Sequence, residues 1–174
     1  LRSAESAPLS WRSSDPISES AARATVLREL MTATAWGTLA CLVVDMPPRA
    51  DLSGLPIGAR GPEVAMLAVT VPHAVSLRVV SRAVKSARDA GVRVLGLVVN
   101  MAYLTCDACG HRNDLGDLEG ARAFARELGL GVLAELPWHP ELASAPPSCV
   151  PLVLEEGPSA DAYSTLAANL WGER

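Results

Sequence analysis

Cys106 and Cys109, in the string NMAYLTCDACGHRND, are the side chains whose type and spacing carry the most chemistry. Two thiolates separated by two residues can reach one metal, and Gly110 eases the turn that brings them together. One such pair supplies two ligands, whereas a closed zinc site or an iron–sulfur cluster takes four. Cys41, inside the apolar run LACLVV, reads as a packed core thiol, and Cys149, just before VPLVL, suits either role. A second copy of the chain would bring two further cysteines on a two-fold axis, so a metal-bridged homodimer is the economical arrangement. A thioredoxin-like redox role needs the pair to open a helix, and the following GHRNDLGD is loop-like, which ranks redox catalysis below metal binding. His111 is either a further ligand or a solvated loop residue. His73 and His139 border prolines and receive no role.

A second centre is Asp45, which closes the apolar run LVVD before Pro47-Pro48. An Asp at the end of a buried strand is how many nucleotide hydrolases attend Mg²⁺, and it is also an ordinary cap of a following turn. Lys85 is the sole lysine, so any mechanism that needs an ammonium at a fixed place has one candidate. It falls in the helical run RAVKSARDAG, on a face read as solvated.

The elements that must position these residues alternate between helical and strand periodicity. A helix is expected through SESAARATVLRELMTATAW, with Asp15 as N-cap and Pro16 at its first position. LACLVVDM, AMLAVTV and VRVLGLVVN read as strands buried on both faces, and Arg49 to Pro62 reads as a loop. HAVSLRVVSRAVKSARDAG is an amphipathic helix closed by Gly91, and Met101 to Leu118 is expected to be irregular. GARAFARELG is a further helix, VLAEL a short strand, VPLVL a possible strand, and a last helix runs from about Pro158 to Trp171. This rhythm predicts an α/β fold of three layers, with a mostly parallel sheet and crossover helices, as one domain over residues 1–174. Ligands of such sheets sit beyond the strand C-termini, where Asp45, Thr70 and Asn100 fall.

Composition narrows the function classes. With 49% hydrophobic residues and 20% charged among 174, the chain can bury a core and is not disordered. A net charge of -4 provides no field for nucleic acid or an anionic membrane, and neither is expected as a partner. The longest apolar runs fall well short of the roughly 20 residues that span a bilayer. LRSAESAPLSWRSSDP has no secretory layout and no initiator Met, so the sequence is expected to be part of a longer, cytoplasmic chain.

Taken in order, WGTLACLVVDMPP, AVTVPHAVSL, VLGLVVNMAYLTCDACG and GARAFARELGLGVLAELPWHPEL resemble the Mrp/ApbC family of cytoplasmic iron–sulfur cluster carriers, which are MinD/ParA-like P-loop ATPases. The resemblance begins near Trp11, and its most specific part is Asn-Met followed by Cys-x-x-Cys. It implies that Asp45 attends Mg²⁺ and water after the Walker B strand, that Asn100 approaches the adenine base, and that Cys106 and Cys109 hold a 4Fe–4S cluster bridging a homodimer. It further implies ATP binding with slow hydrolysis and transfer of the cluster to apo iron–sulfur proteins. The departures are specific. The family's Gly-rich, lysine-bearing phosphate loop is not found in these residues, and Lys85 cannot replace it. PPRADLSG stands where the family has Pro-Pro-Gly-Thr-Gly-Asp, which introduces Arg49 and leaves Asp51 one position short of a second acidic residue. The segment around Ser148 and Cys149 also departs from the usual Gly-x-Pro. Either the phosphate loop lies upstream or the ATPase has decayed, and ATP hydrolysis by these residues alone is not expected. The alternatives are a degenerate, non-hydrolysing partner that binds zinc or no metal, and a MinD/ParA-like positioning ATPase, which has no need of the cysteine pair.

Overall fold

The computed structural model describes residues 16–46, 63–106, 108–139 and 157–172. The chain divides into two compact units, Leu1–Gly61 and Pro62–Arg174. In the first, helix α1 spans Pro16–Ala33, so the helix begins at the proline whose preset φ favours a first turn. Among its described side chains Ala24 is buried and Leu30 is exposed.

The expected strand through LACLVVDM does not form. Residues 39–46 have no regular secondary structure, Val43 is 85% exposed, and Cys41, read as a core thiol, is also exposed. No strand among the described residues pairs with this segment. A strand needs a neighbour to take its N–H and C=O groups, and apolar composition does not supply one.

The second unit carries the sheet. Strand β1 (Ala65–Thr70) leads through Pro72 into helix α2 (Ala74–Asp89), and strand β2 (Arg93–Thr105) follows. Short strand β3 (Arg112–Asp114), helix α3 (Leu118–Glu127), strand β4 (Val132–Pro137) and helix α4 (Pro158–Gly172) complete it. β1 and β4 run parallel to β2 on opposite edges, since Leu97 is matched with Ala68 of β1 and also with Val132 of β4. β3 runs antiparallel to the end of β2, on the edge that β1 occupies further back: Tyr103 is matched with Asp114 on one side and Pro137 on the other. The sheet is therefore mixed but mostly parallel, as expected. The segment VPLVL lies outside the described residues.

The helices form where apolar side chains recur on one face. Val80, Val84 and Ala87 of α2 and Leu118, Ala121 and Ala125 of α3 are buried. All but Ala87 pack with Leu97 and Val99 of β2 on one side of the sheet. Leu166 of α4 packs with Val98 and Leu136 on the other. These three layers match the expected architecture. His73, to which no role was assigned, caps α2: its Nδ1 accepts the Val75 N–H at 3.3 Å. Gly91 closes α2 at φ +75°, the left-handed conformation expected of it.

β2 runs further than its apolar run suggests. Its strand does not stop at Asn100 but continues through Met101 to Thr105. The register against β4 shifts between Val99 and Tyr103, and within that bulge Met101 takes φ +51°. The Asn100 side-chain oxygen accepts the Met101 N–H at 2.9 Å, which gives the displaced amide a local partner. Leu97 is fully buried at the centre of β2. Leu97→Ala is expected to cost about 2–5 kcal/mol, read as a lower midpoint in urea at unchanged slope.

Candidate metal centre

The cysteine pair sits at the tip of a β-hairpin. Tyr103, Leu104 and Thr105 of β2 are matched with Asp114, Asn113 and Arg112 of β3, so Arg112 lies opposite the residue that precedes Cys106. The Cys106 N–H donates to the His111 carbonyl at 2.9 Å, and the Gly110 N–H donates to the Cys106 carbonyl at 2.8 Å. Gly110 at φ +70° turns the chain back, a conformation that a Cβ would strain. Cys106 is half-buried and Cys109 exposed, and neither is in a disulfide. His111 is exposed, and its carbonyl also accepts from the Asn113 side chain at 3.3 Å. The expectation of an irregular stretch from Met101 to Leu118 is thus corrected: two strands and a turn frame the thiols, because β2 outlasts its apolar run.

Sequence reading missed what anchors this hairpin. All three residues of β3 are exposed, so it contributes no buried side chain. Arg112 reaches across β2 instead. Its guanidinium lies 3.8 Å from the centroid of the Tyr103 ring and donates to Glu135 on β4 at 2.8 Å and to Asp114 at 3.1 Å. Glu135, with its side chain 16% exposed, is gripped from α3 by Arg122, whose Nε and Nη2 donate to its two oxygens at 2.7 and 3.0 Å. Arg122 also meets Glu119 at 3.4 Å, and Glu119 meets Arg126 at 3.0 Å. The result is an alternating chain of charges running from the hairpin to the exposed side of α3. Its one sequence signal was an acidic residue inside the apolar strand VLAELP.

The electrostatics follow. The Arg122 hydrogen bonds hold the Glu135 carboxyl below the ordinary glutamate value, against a desolvation cost that would raise it, and Arg112 adds to the lowering. Arg122 is in turn held above its ordinary value, first by Glu135. Arg126, then Arg122, lowers Glu119, which is exposed to solvent and its salt. Paired guanidinium–carboxylate contacts of this forked kind are the stronger ones, and here they join β3, β4 and α3.

The other expected site residues divide between the units. Asn100 lies on β2, on the same strand that leads to Cys106. Asp45 belongs to the first unit, where it is exposed in the irregular segment rather than at the end of a strand. Lys85 is exposed on α2, as expected. Cys149, Arg49, Asp51 and Ser148 lie outside the described residues. No group of three or more metal-ligating side chains occurs among the described residues. Among the described residues the candidate donors are two thiols on a tight, partly exposed turn, which suits half of a four-thiolate site.

A family model described as the NUBPL iron-transfer P-loop NTPase, of the ParA group, matches residues 3–171. The chain belongs to this family. It is 32% identical over 168 residues to the mouse (Mus musculus) iron-sulfur cluster transfer protein NUBPL, covering 95% of this chain and 50% of the relative. It is 32% identical over 167 residues to an iron-sulfur cluster carrier protein of Pseudomonas fragi, covering 95% of this chain and 56% of that one. Among solved structures it is similar to a nucleotide-binding protein of Archaeoglobus fulgidus, in complex with ADP and with cobalt, at a TM-score of 0.56 and 31% identity. That likeness covers 70% of this chain and 50% of the other. The chain spans about half the length of the curated relatives it matches. The P-loop NTPase membership agrees with the three-layer architecture. Within the described residues, no helix of this family member is long and apolar enough to cross a membrane.

The lowered Glu135 fixes a sign for acid behaviour. A carboxyl with a depressed folded value stabilises the fold above its unfolded value, near 4.5, and loses that contribution as pH falls through the folded value. Glu135→Gln is expected to cost about 1–3 kcal/mol at neutral pH. The gap from the parent should close as pH drops from about 5 towards 3, which urea titrations at stepped pH would read.

Proposed function

We propose that the chain is the cysteine-bearing part of an iron–sulfur cluster carrier. Cys106 and Cys109 supply two thiolates, and two copies of the chain together supply the four that a bridging 4Fe–4S cluster takes. The cluster is cargo, handed on to apo iron–sulfur proteins. The observation that carries the reading is the Cys-x-x-Cys turn at the end of β2, in a chain that belongs to a family of iron-transfer P-loop NTPases. Solvent access supports the role: Cys109 is exposed and Cys106 half-buried, so an incoming thiol of a recipient protein can reach the turn. The carrier is placed in a reducing compartment such as the cytoplasm, where thiols persist as metal ligands.

The nucleotide half of the reading rests on residues 1–174 forming one part of a P-loop domain. By the family's pattern Asp45 would attend Mg²⁺ and Asn100 would approach adenine, and a Gly-rich loop with its lysine would supply the phosphate cradle. That loop is not found in the 174 residues, so ATP binding is assigned to a chain that carries one. ADP in the archaeal relative supports a nucleotide site in that longer form.

Anaerobic reconstitution with iron and sulfide tests the carrier reading. The expected product is one 4Fe–4S cluster per two chains, read as iron and sulfide content beside solution mass. The double variant Cys106→Ser/Cys109→Ser should remain monomeric and hold no cluster; a full cluster in that variant would sink the proposal. Zinc in place of iron in protein purified without oxygen would favour the zinc-binding partner instead.

A further inference from the structure

The hairpin that carries the thiols has little of its own to hold it. Three matched residue pairs and a Gly turn make a two-stranded ribbon that is marginal in water, and β3 buries nothing. Its free tip would sample many separations of the two sulfurs, of which few suit one metal. The side chain that restrains it is Arg112, placed by register opposite Thr105 and adjoining His111, whose carbonyl takes the Cys106 N–H. It therefore touches both strands at the base of the turn.

We propose that Arg112 is a positioning residue for the cysteine pair, holding the base of the Cys106–Cys109 turn against Tyr103, Asp114 and Glu135 so that both thiolates meet one metal.

The geometry explains why arginine is needed. A planar guanidinium can lie on the Tyr103 ring at 3.8 Å while its Nε and Nη2 donate in different directions, to Asp114 and Glu135. Lysine keeps the charge but has neither the plane nor the fork. Glu135 is a firm anchor because Arg122, on α3, occupies both of its oxygens. The hairpin on one edge of β2 is thereby tied over the strand to β4 and α3. A site that is competent only part of the time binds with its affinity reduced by that fraction. Loss of partners that orient a metal ligand typically weakens metal binding about 10- to 100-fold.

This inference rests on Cys106 and Cys109 being metal thiolates, and the experiment separates the two. The reduced chain is titrated with Co²⁺ without oxygen, and thiolate-to-cobalt charge-transfer absorption gives affinity and geometry. Amide hydrogen exchange at Cys106 and Gly110 is measured in the metal-free chain. Arg112→Gln is expected to weaken Co²⁺ binding about tenfold or more, alter the cobalt bands and speed exchange at both amides. Arg112→Lys should show the same changes to a smaller degree, and it decides the matter if the glutamine variant does not fold. Arg126→Gln removes a guanidinium from the far end of the same charge chain and should bind as the parent does. Parental affinity, bands and exchange in the folded Arg112 variants would overturn the proposal, as would an equal loss in Arg126→Gln. No thiolate–cobalt absorption in the parent chain would overturn the metal reading instead, and exchange would then decide alone whether Arg112 holds the hairpin.

Discussion

Strand β2 is hydrogen-bonded along both edges and covered on both faces, and the rest of the C-terminal unit is arranged around that constraint. Leu97, Val98 and Val99 are buried in the two clusters that α2 with α3 and α4 form against opposite sides of the sheet. A strand so placed has no freedom to slip, because a shift of one residue would exchange its two faces. The bulge at Met101 shows how firmly it is held. A non-glycine residue at φ +51° costs about 1–2 kcal/mol, and it persists because pairing before and after it leaves the chain no other route. The strand then emerges past the end of β1 with its last residues matched to β3, and it is there that Cys106 begins its turn.

The parts of this arrangement that could be read in the sequence are those with local causes. α2 and α3 follow from apolar residues at helical spacing with Gly91 as a stop, whereas their caps, His73 and Asp117, emerge only from the structure. β1 and β4 follow from short apolar runs bounded by proline or glycine. LACLVVDM had the same composition as those runs and failed as a strand, since a strand needs a neighbour and composition cannot supply one. The end of β2 departs from its apolar run for the opposite reason. Asn100 interrupts the apolar run and the matched pairs skip residues 100–102, yet pairing resumes on both edges at Tyr103 and β3 carries the strand to Thr105.

The candidate site shows the same division. The thiol pair and its Gly turn are a local motif, legible from Cys106 to Gly110. The support beneath it is not local: Glu135 lies 23 positions beyond Arg112, and only the sheet brings β3, β4 and α3 within reach of one carboxylate. Each member of that charge chain taken alone resembles a surface residue. Their joint effect depends on the low exposure of Glu135, which makes its pairing obligatory once the fold has formed.

Two thiolates per chain have a consequence for how a carrier would hold its cargo. If four are required and each chain brings two, cluster binding and association of two chains are one equilibrium, and the hold depends on protein concentration as well as on each half-site. A recipient that offers its own thiols competes with the second copy rather than with a closed cage. The tightness of each half then sets which side prevails. A loose hairpin would favour release and a rigid one retention, so in such a carrier the contacts that set hairpin rigidity would tune transfer without touching the cluster. An ion-paired arginine suits that task better than an apolar plug would. In the proposed role it would hold the base of the turn from the side and leave Cys109, which is exposed, open to ligand exchange.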